Sequence, residues 1–173
     1  QNWFRYAVHG GALVPFALLL KDVLLDRFLI DLVAEATSRT GQTALILLLL
    51  SLACTPFYIV LGFRQALQVR RTLGLYALLY AGLHLLVFVW LDYGLDWPLI
   101  WDGIVEQRFV MVGFLALLIL TVLGITSTKG WRRRLGKGWK RLHRSVYLAG
   151  ILAVLHFIWL VKDFREPLIY AGA

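Results

Sequence analysis

Five apolar runs dominate this chain, and a polypeptide built this way has few options. They cover residues 6–20, 42–62, 72–91, 109–126 and 145–161. A helix crossing a bilayer needs about 20 predominantly apolar residues at 1.5 Å each. Inside hydrocarbon no water satisfies backbone N–H and C=O groups, so only helices and closed barrels can span it. None of the runs alternates polar with apolar residues, and barrel strands would be nearer ten residues long. The expected fold is therefore an all-α integral membrane protein, a helical bundle of five complete transmembrane helices in one domain over residues 1–173. The start of a sixth helix is expected at Pro167, in PLIYAGA. No cleavable signal segment is visible, and an opening at Gln1 rather than methionine points to a trimmed start.

Charge is sorted by loop. The chain carries a net +8, which in a soluble protein would raise nucleic-acid binding. Here the positives fall between apolar runs and need no nucleic acid. Residues 63–71 hold Arg64, Arg70 and Arg71 and no acid. Residues 127–144 hold Lys129, Arg132, Arg133, Arg134, Lys137, Lys140, Arg141 and Arg144, again with no acid. Residues 92–108 hold Asp92, Asp96, Asp102 and Glu106 against Arg108. Lys and Arg stay on the cytoplasmic side. The two basic segments and the N-terminus are thus expected inside, with residues 21–41, 92–108 and 162–167 outside. The basic segments should also attract anionic membrane lipid.

The outer stretch 21–41 contains DRFLIDLVAEATSRT, with apolar residues at helical spacing, and is expected to form a short amphipathic helix on the outer surface. Trp90, Trp97 and Trp101 stand where interfacial anchors would. Pro56 should kink or end the second helix. No internal repeat is visible. Cys54 is the only cysteine, which excludes an internal disulfide and any cysteine-based metal centre; it reads as a small packing residue.

Chemistry should be sought at the four histidines, His9, His84, His143 and His156, because ionisable groups inside a membrane are costly and are functional candidates by default. His84 lies thirteen residues past Arg71, roughly 20 Å in; His156 lies twelve past Arg144, roughly 18 Å in. Both helices enter from the inside, so the two imidazoles stand at one level. That is what a bis-histidine b-type haem requires. Ala81, Gly82, Gly150 and Ala153 leave room for a flat macrocycle. The competing readings are an interhelical hydrogen bond or a proton relay.

His143 lies at the inner boundary, thirteen residues before His156. On a straight helix that spacing leaves about 140° between the side chains, so a kink would be needed to align them. His143 is open between a ligand of a second haem, a neighbour of flavin or quinone, and a solvated interfacial residue. His9 is similarly shallow, a partner for His143, a donor to quinone or flavin, or an interfacial residue. The basic segment TKGWRRRLGKGWKRLHR is no phosphate loop, but a cationic shelf would suit a flavin phosphate or an acidic electron donor.

Several strings together resemble the MsrQ (YedZ) family within the ferric reductase-like transmembrane domain proteins: Thr55-Pro56, RRTLGLYALLYAGLH ending at His84, ITST over 125–128, and RRLGKGWKRLHRSVYLAGILAVLH ending at His156. The resemblance covers nearly the whole chain. It implies a six-helix bacterial inner-membrane protein with b-type haem, one or two, and FMN. It also implies electrons drawn from quinone or a cytosolic flavin reductase and passed to a periplasmic molybdenum-containing methionine sulfoxide reductase that repairs oxidised proteins. The family's haem histidines fall on His84, His143 and His156. Larger oxidases of the superfamily carry two histidine pairs, and the third helix here lacks the fourth histidine. No glycine-rich dinucleotide fingerprint follows a strand. The chain is thus expected to be an electron-transfer subunit rather than the catalytic one. Rivals from other classes are a membrane anchor for a partner enzyme and a proton or solute transporter.

Overall fold

The computed structural model describes residues 2–25 and 32–170, with side chains for residues 3–25 and 32–162. Most of these residues are helical, and no strand occurs among them. Two compact units divide the chain, residues 1–96 and 97–173.

The first unit contains α1 (Asn2–Leu24), α2 (Leu32–Leu61), α3 (Arg64–Leu86) and a π-helical turn, Val87–Asp92, that continues α3. α2 and α3 form an antiparallel hairpin joined by Gly62 and Phe63 alone. Gly62 adopts φ +66° and donates its N–H to Tyr58 O, the left-handed stop that glycine permits without steric cost. The hairpin is pinned near this end: Ser51 Oγ donates to Arg70 O at 2.9 Å, and Arg70 Nη1 donates to Thr55 Oγ1 at 2.9 Å. At its other end Arg39 of α2 pairs with Glu35 (2.7 Å) and with Asp22 of α1 (2.6 Å).

The Tyr80 hydroxyl ties α1 to α3 at its proline. Pro15 sits inside α1, where its ring crowds the preceding turn and its missing N–H weakens the ladder. Tyr80 of α3 answers at that turn. Its hydroxyl donates to Ala12 O at 2.7 Å and accepts from Phe16 N–H at 3.1 Å. Those two backbone groups are helical i→i−4 partners, so Tyr80 bridges the turn at the proline.

The second unit contains α4 (Trp97–Glu106), α5 (Arg108–Ile125), α6 (Lys129–Leu135), α7 (Lys137–His143) and α8 (Val146–Tyr170). α5 packs on α8, and α4 on α5. α4 buries Ile100 and Gly103 and exposes Trp97 and Trp101, as expected of interfacial anchors; Trp90 is exposed too. Thr128 caps α6, accepting from Trp131 N–H. Gly136, at φ +50°, turns α6 into α7.

Five helical spans are long and apolar enough to cross a membrane: 3–24, 32–61, 64–92, 108–125 and 137–162. They match the five apolar runs. Side chains such as Ile59, Val60 and Ile151 are exposed, the pattern of a surface solvated by lipid rather than water.

The boundaries correct several expectations. No separate surface helix occupies 21–41 among the described residues: Lys21–Leu24 complete α1 and Leu32–Thr40 open α2, while residues 26–31 lie outside the described residues. Within the polar start of α2 the hydroxyls of Thr40 and Thr43 are satisfied by Ala36 O and Arg39 O, and Arg39 is paired with two acids. The basic stretch 63–71 is not a loop but the first turns of α3. Pro56 does not end α2, which runs five residues further to Leu61. From Pro167, where a sixth helix was expected to begin, the backbone continues α8 to Tyr170; a proline removes one ladder bond and need not end a helix.

Candidate functional site

Each unit seats one half-buried histidine in the same way. In the first, His84 Nδ1 bonds the carbonyl oxygen of Thr37 on α2 at 2.9 Å. In the second, His156 Nδ1 bonds the carbonyl oxygen of Phe109 on α5 at 2.6 Å. Each histidine stands 47 residues beyond its acceptor. A carbonyl only accepts, so both rings donate an Nδ1–H, and in the neutral imidazole Nε2 then carries the lone pair. The Phe109 ring lies 5.9 Å from the His156 ring, centroid to centroid.

Four residues after each acceptor stands a glycine. A Cβ at Gly41 would meet His84 Nδ1 and Cε1 at 3.0 Å; one at Gly113 would meet His156 Nδ1 at 2.7 Å and Cε1 at 2.9 Å. Neither glycine was singled out from sequence.

A shift of 72 residues (84 to 156, 41 to 113) extends the correspondence. It carries Ala44 onto Ala116, Leu48 onto Leu120, Ala77 onto Ala149, Ala81 onto Ala153 and Leu83 onto Leu155. Ala77 and Ala149 are both 0% exposed, and Leu48 and Leu120 are both buried. α2 corresponds to α5 followed by α6, and α3 to α7 followed by α8. The two units thus repeat one histidine seat in one register.

The inner histidines are built differently. His143 ends α7 and stacks on Trp139 of the same helix, centroids 4.0 Å apart and planes at 26°. Thr126, just past α5, binds both: its carbonyl accepts from Trp139 Nε1 at 2.9 Å, and its hydroxyl lies 3.1 Å from His143 Nε2. The Thr126 hydroxyl proton is directed to Val122 O at 2.7 Å. So His143 donates Nε2–H to Thr126, the opposite tautomer to His84 and His156. The interruption required between His143 and His156 exists: Arg144 and Ser145 separate α7 from α8 with i→i−3 bonds to Arg141 O and Leu142 O. Under the 72-residue shift Arg71 occupies the place of His143 (71 to 143), in a stretch where α3 runs uninterrupted.

His9, exposed on α1, bonds through Nδ1 to the Tyr76 hydroxyl of α3 at 2.9 Å. Within their units the structure therefore joins His9 to Tyr76 and His143 to Trp139 and Thr126. Arg132, Arg133, Arg134, Lys137, Lys140 and Arg141 of α6 and α7 are solvent-exposed or nearly so, with the Arg134 guanidinium 5.5 Å above the Trp131 ring. No group of three or more His, Cys, Asp or Glu side chains suited to a bare metal ion occurs among the described residues.

Residues 40–160 match the family model described as ferric reductase like transmembrane component. The chain is 48% identical over 175 residues to the protein-methionine-sulfoxide reductase heme-binding subunit MsrQ of Xanthomonas campestris pv. campestris (strain 8004), covering 97% of this chain and 80% of that one. It is 47% identical to the subunit of the same name from Xanthomonas axonopodis pv. citri (strain 306), covering 95% and 79%. The similarly named protein of Rhodospirillum rubrum is 49% identical over 138 residues, covering 79% and 66%. No solved structure matches the chain.

Proposed function

The chain belongs to the ferric reductase-like transmembrane family, among its MsrQ subunits, and from that premise we propose that this multi-pass membrane protein carries electrons across its bilayer through one b-type haem ligated by His84 and His156. The observation that supports this most is the repeated seat. Metal-bound histidines usually donate their other ring N–H to a carbonyl or carboxylate, which fixes the tautomer and raises the basicity of the ligating nitrogen. Nδ1–H donation to Thr37 O and Phe109 O does this for both rings, leaving Nε2 as the ligating atom. Matching depth along the two helices supports the same pairing.

Bound haem would supply an iron centre that accepts and releases one electron at a time. The chain's own part is to hold two neutral imidazoles with Nε2 as the basic nitrogen and to keep water and charge away from them. His143 supports a second haem less well. Its Nε2–H is committed to Thr126, so it could ligate only through Nδ1 or after losing that bond. Its counterpart in the first unit is Arg71, which cannot ligate iron.

On this reading the Trp139–His143–Thr126 cluster and the basic α6–α7 segment form the entry side. Quinone or a cytosolic flavin reductase is the donor, FMN a second cofactor whose phosphate would suit Arg132, Arg133 and Arg134. Loop charge supports placing this side in the cytoplasm of a bacterial inner membrane. The acceptor would be a periplasmic molybdenum-containing methionine sulfoxide reductase; the relatives' name supports a methionine sulfoxide reductase. The chain is the electron-transfer subunit of that pair, with residues 1–173 working as one domain.

The test is a dithionite-reduced minus oxidised visible spectrum of the purified protein with haem counted per chain, beside His84→Ala, His156→Ala and His143→Ala. One low-spin b-type haem per chain, lost in the first two variants and kept in the third, is the expected result. Colourless wild-type protein after haem supplementation would replace the conduit with a membrane anchor or a transporter.

A further inference from the structure

We propose that Gly41 and Gly113 are positioning residues for the two axial histidines: each leaves bare the backbone carbonyl four residues earlier, so that an imidazole can lie flat on the helix and bind it. The inference rests on the haem reading above and deepens it by naming what sets the ligands' tautomer and basicity.

The geometry supports it from both units independently. In an α-helix the carbonyl of residue i accepts the N–H of residue i+4, and one lone pair remains. A side chain at i+4 stands beside that lone pair. At Gly41 and Gly113 the three atoms nearest to an added Cβ all belong to the histidine ring, at 3.0–3.7 Å and 2.7–3.0 Å. The other glycines behave differently. A Cβ at Gly74 would meet Ser51 Oγ at 3.3 Å, a contact between α3 and α2, and one at Gly82, two residues before His84, would meet nothing within 4 Å. General helix packing therefore does not explain Gly41 and Gly113. Both sit four residues past the acceptor of a ring nitrogen, and both acceptors lie 47 residues before their histidine.

Gly41→Ala must push the His84 ring a few tenths of an ångström off the Thr37 carbonyl. Gly113→Ala must push His156 further, because 2.7 Å is closer than real Cβ atoms approach. Lengthening Nδ1–H···O=C weakens the hydrogen bond that makes Nε2 a strong ligand. Loss of such a partner typically costs 10–100-fold in metal affinity.

The experiment uses the haem-loaded protein in detergent, with Gly41→Ala, Gly113→Ala and, as the control, Gly11→Ala on α1, where an added Cβ meets nothing within 4 Å. It reads haem dissociation by transfer to apomyoglobin, the low-spin electron paramagnetic resonance signal and the midpoint potential. Haem dissociation should rise about 10–100-fold in Gly113→Ala and less in Gly41→Ala. Low-spin signals and potentials should shift in both and stay unchanged in Gly11→Ala. If Gly113→Ala does not fold, Gly41→Ala carries the test alone, because its clash is milder. Wild-type signals and affinity in a folded Gly41→Ala or Gly113→Ala would overturn the proposal while leaving the haem reading intact. Equal shifts in Gly11→Ala would also overturn it. A wild type that binds no haem would sink the haem reading itself.

Discussion

Removing one oxygen atom from Tyr80 tests how α1 is held. The side chain is 2% exposed, and its hydroxyl makes two bonds to one turn of α1, 2.7 Å to Ala12 O and 3.1 Å from Phe16 N–H. Tyr80→Phe keeps the ring and loses both. Each bond contributes about 0.5–1.5 kcal/mol net, and a buried group left without a partner costs about 1–3 kcal/mol. Ala12 O and Phe16 N–H are i→i−4 partners and can recover part of the loss by bonding each other. The Pro15 ring between them limits that recovery by crowding the carbonyl of Gly11. The expected destabilisation is therefore about 1–3 kcal/mol, well below the ~3–5 kcal/mol for removing a whole buried aromatic ring as in Tyr80→Ala. Reversible denaturant unfolding in mixed micelles, followed by circular dichroism, measures both. A Tyr80→Phe protein within about 0.5 kcal/mol of wild type would show that α1 closes its own ladder across Pro15. The bridging hydroxyl would then be incidental.

Three further outcomes follow from single interactions. Gly62→Ala forces a Cβ into the left-handed region at φ +66° with nothing within 4 Å of it, so the cost is conformational alone, about 1–2 kcal/mol by thermal unfolding. Thr126→Val removes the acceptor of His143 Nε2–H; it should cost about 1 kcal/mol and shift the ring towards the Nδ1–H tautomer in nitrogen-15 spectra, with haem content unchanged. Arg39→Gln deletes ion pairs to Asp22 and Glu35 at a side chain 40% exposed; it should cost at most about 1 kcal/mol, less in high salt, because solvent screens the pair.

The helices were legible because lipid imposes a coarse rule. Twenty apolar residues must be helical, and the five spans fall where the runs do. Boundaries were less legible because helix ends depend on single hydrogen bonds. Within the polar start of α2, Ala36 O and Arg39 O satisfy the hydroxyls of Thr40 and Thr43, and Arg39 is paired with acids on two helices. Charge counting took residues 63–71 for a loop, yet Gly62 and Phe63 suffice to turn the chain. The histidines were legible as the ionisable residues in and beside the apolar runs. The tautomers were not, since they are decided by which backbone atom each ring meets.

The repeat shows why the rest of the site stayed hidden. Membrane helices place most side chains against lipid, where any apolar residue serves, so two hairpins with the same histidine seat need share little identity on that face. What persists is where sterics admit one answer: Ala77 and Ala149 at full burial, Leu48 and Leu120 inside, and a glycine under each histidine. A glycine in a membrane helix usually reads as a place where two helices come close. Gly41 and Gly113 do something narrower, because what comes close is a ring and what it reaches is a carbonyl. The repeat is also informative where it breaks. α3 passes Arg71 without interruption, whereas the other unit stops at His143, turns through Arg144 and Ser145 and starts α8 afresh. At that register a histidine thus stands in one unit alone, at the end of a separate short helix and in the opposite tautomer. The seats of His84 and His156 repeat one geometry, a ring nitrogen on a helix carbonyl over a glycine, while the Trp139–His143–Thr126 cluster has no counterpart at that register.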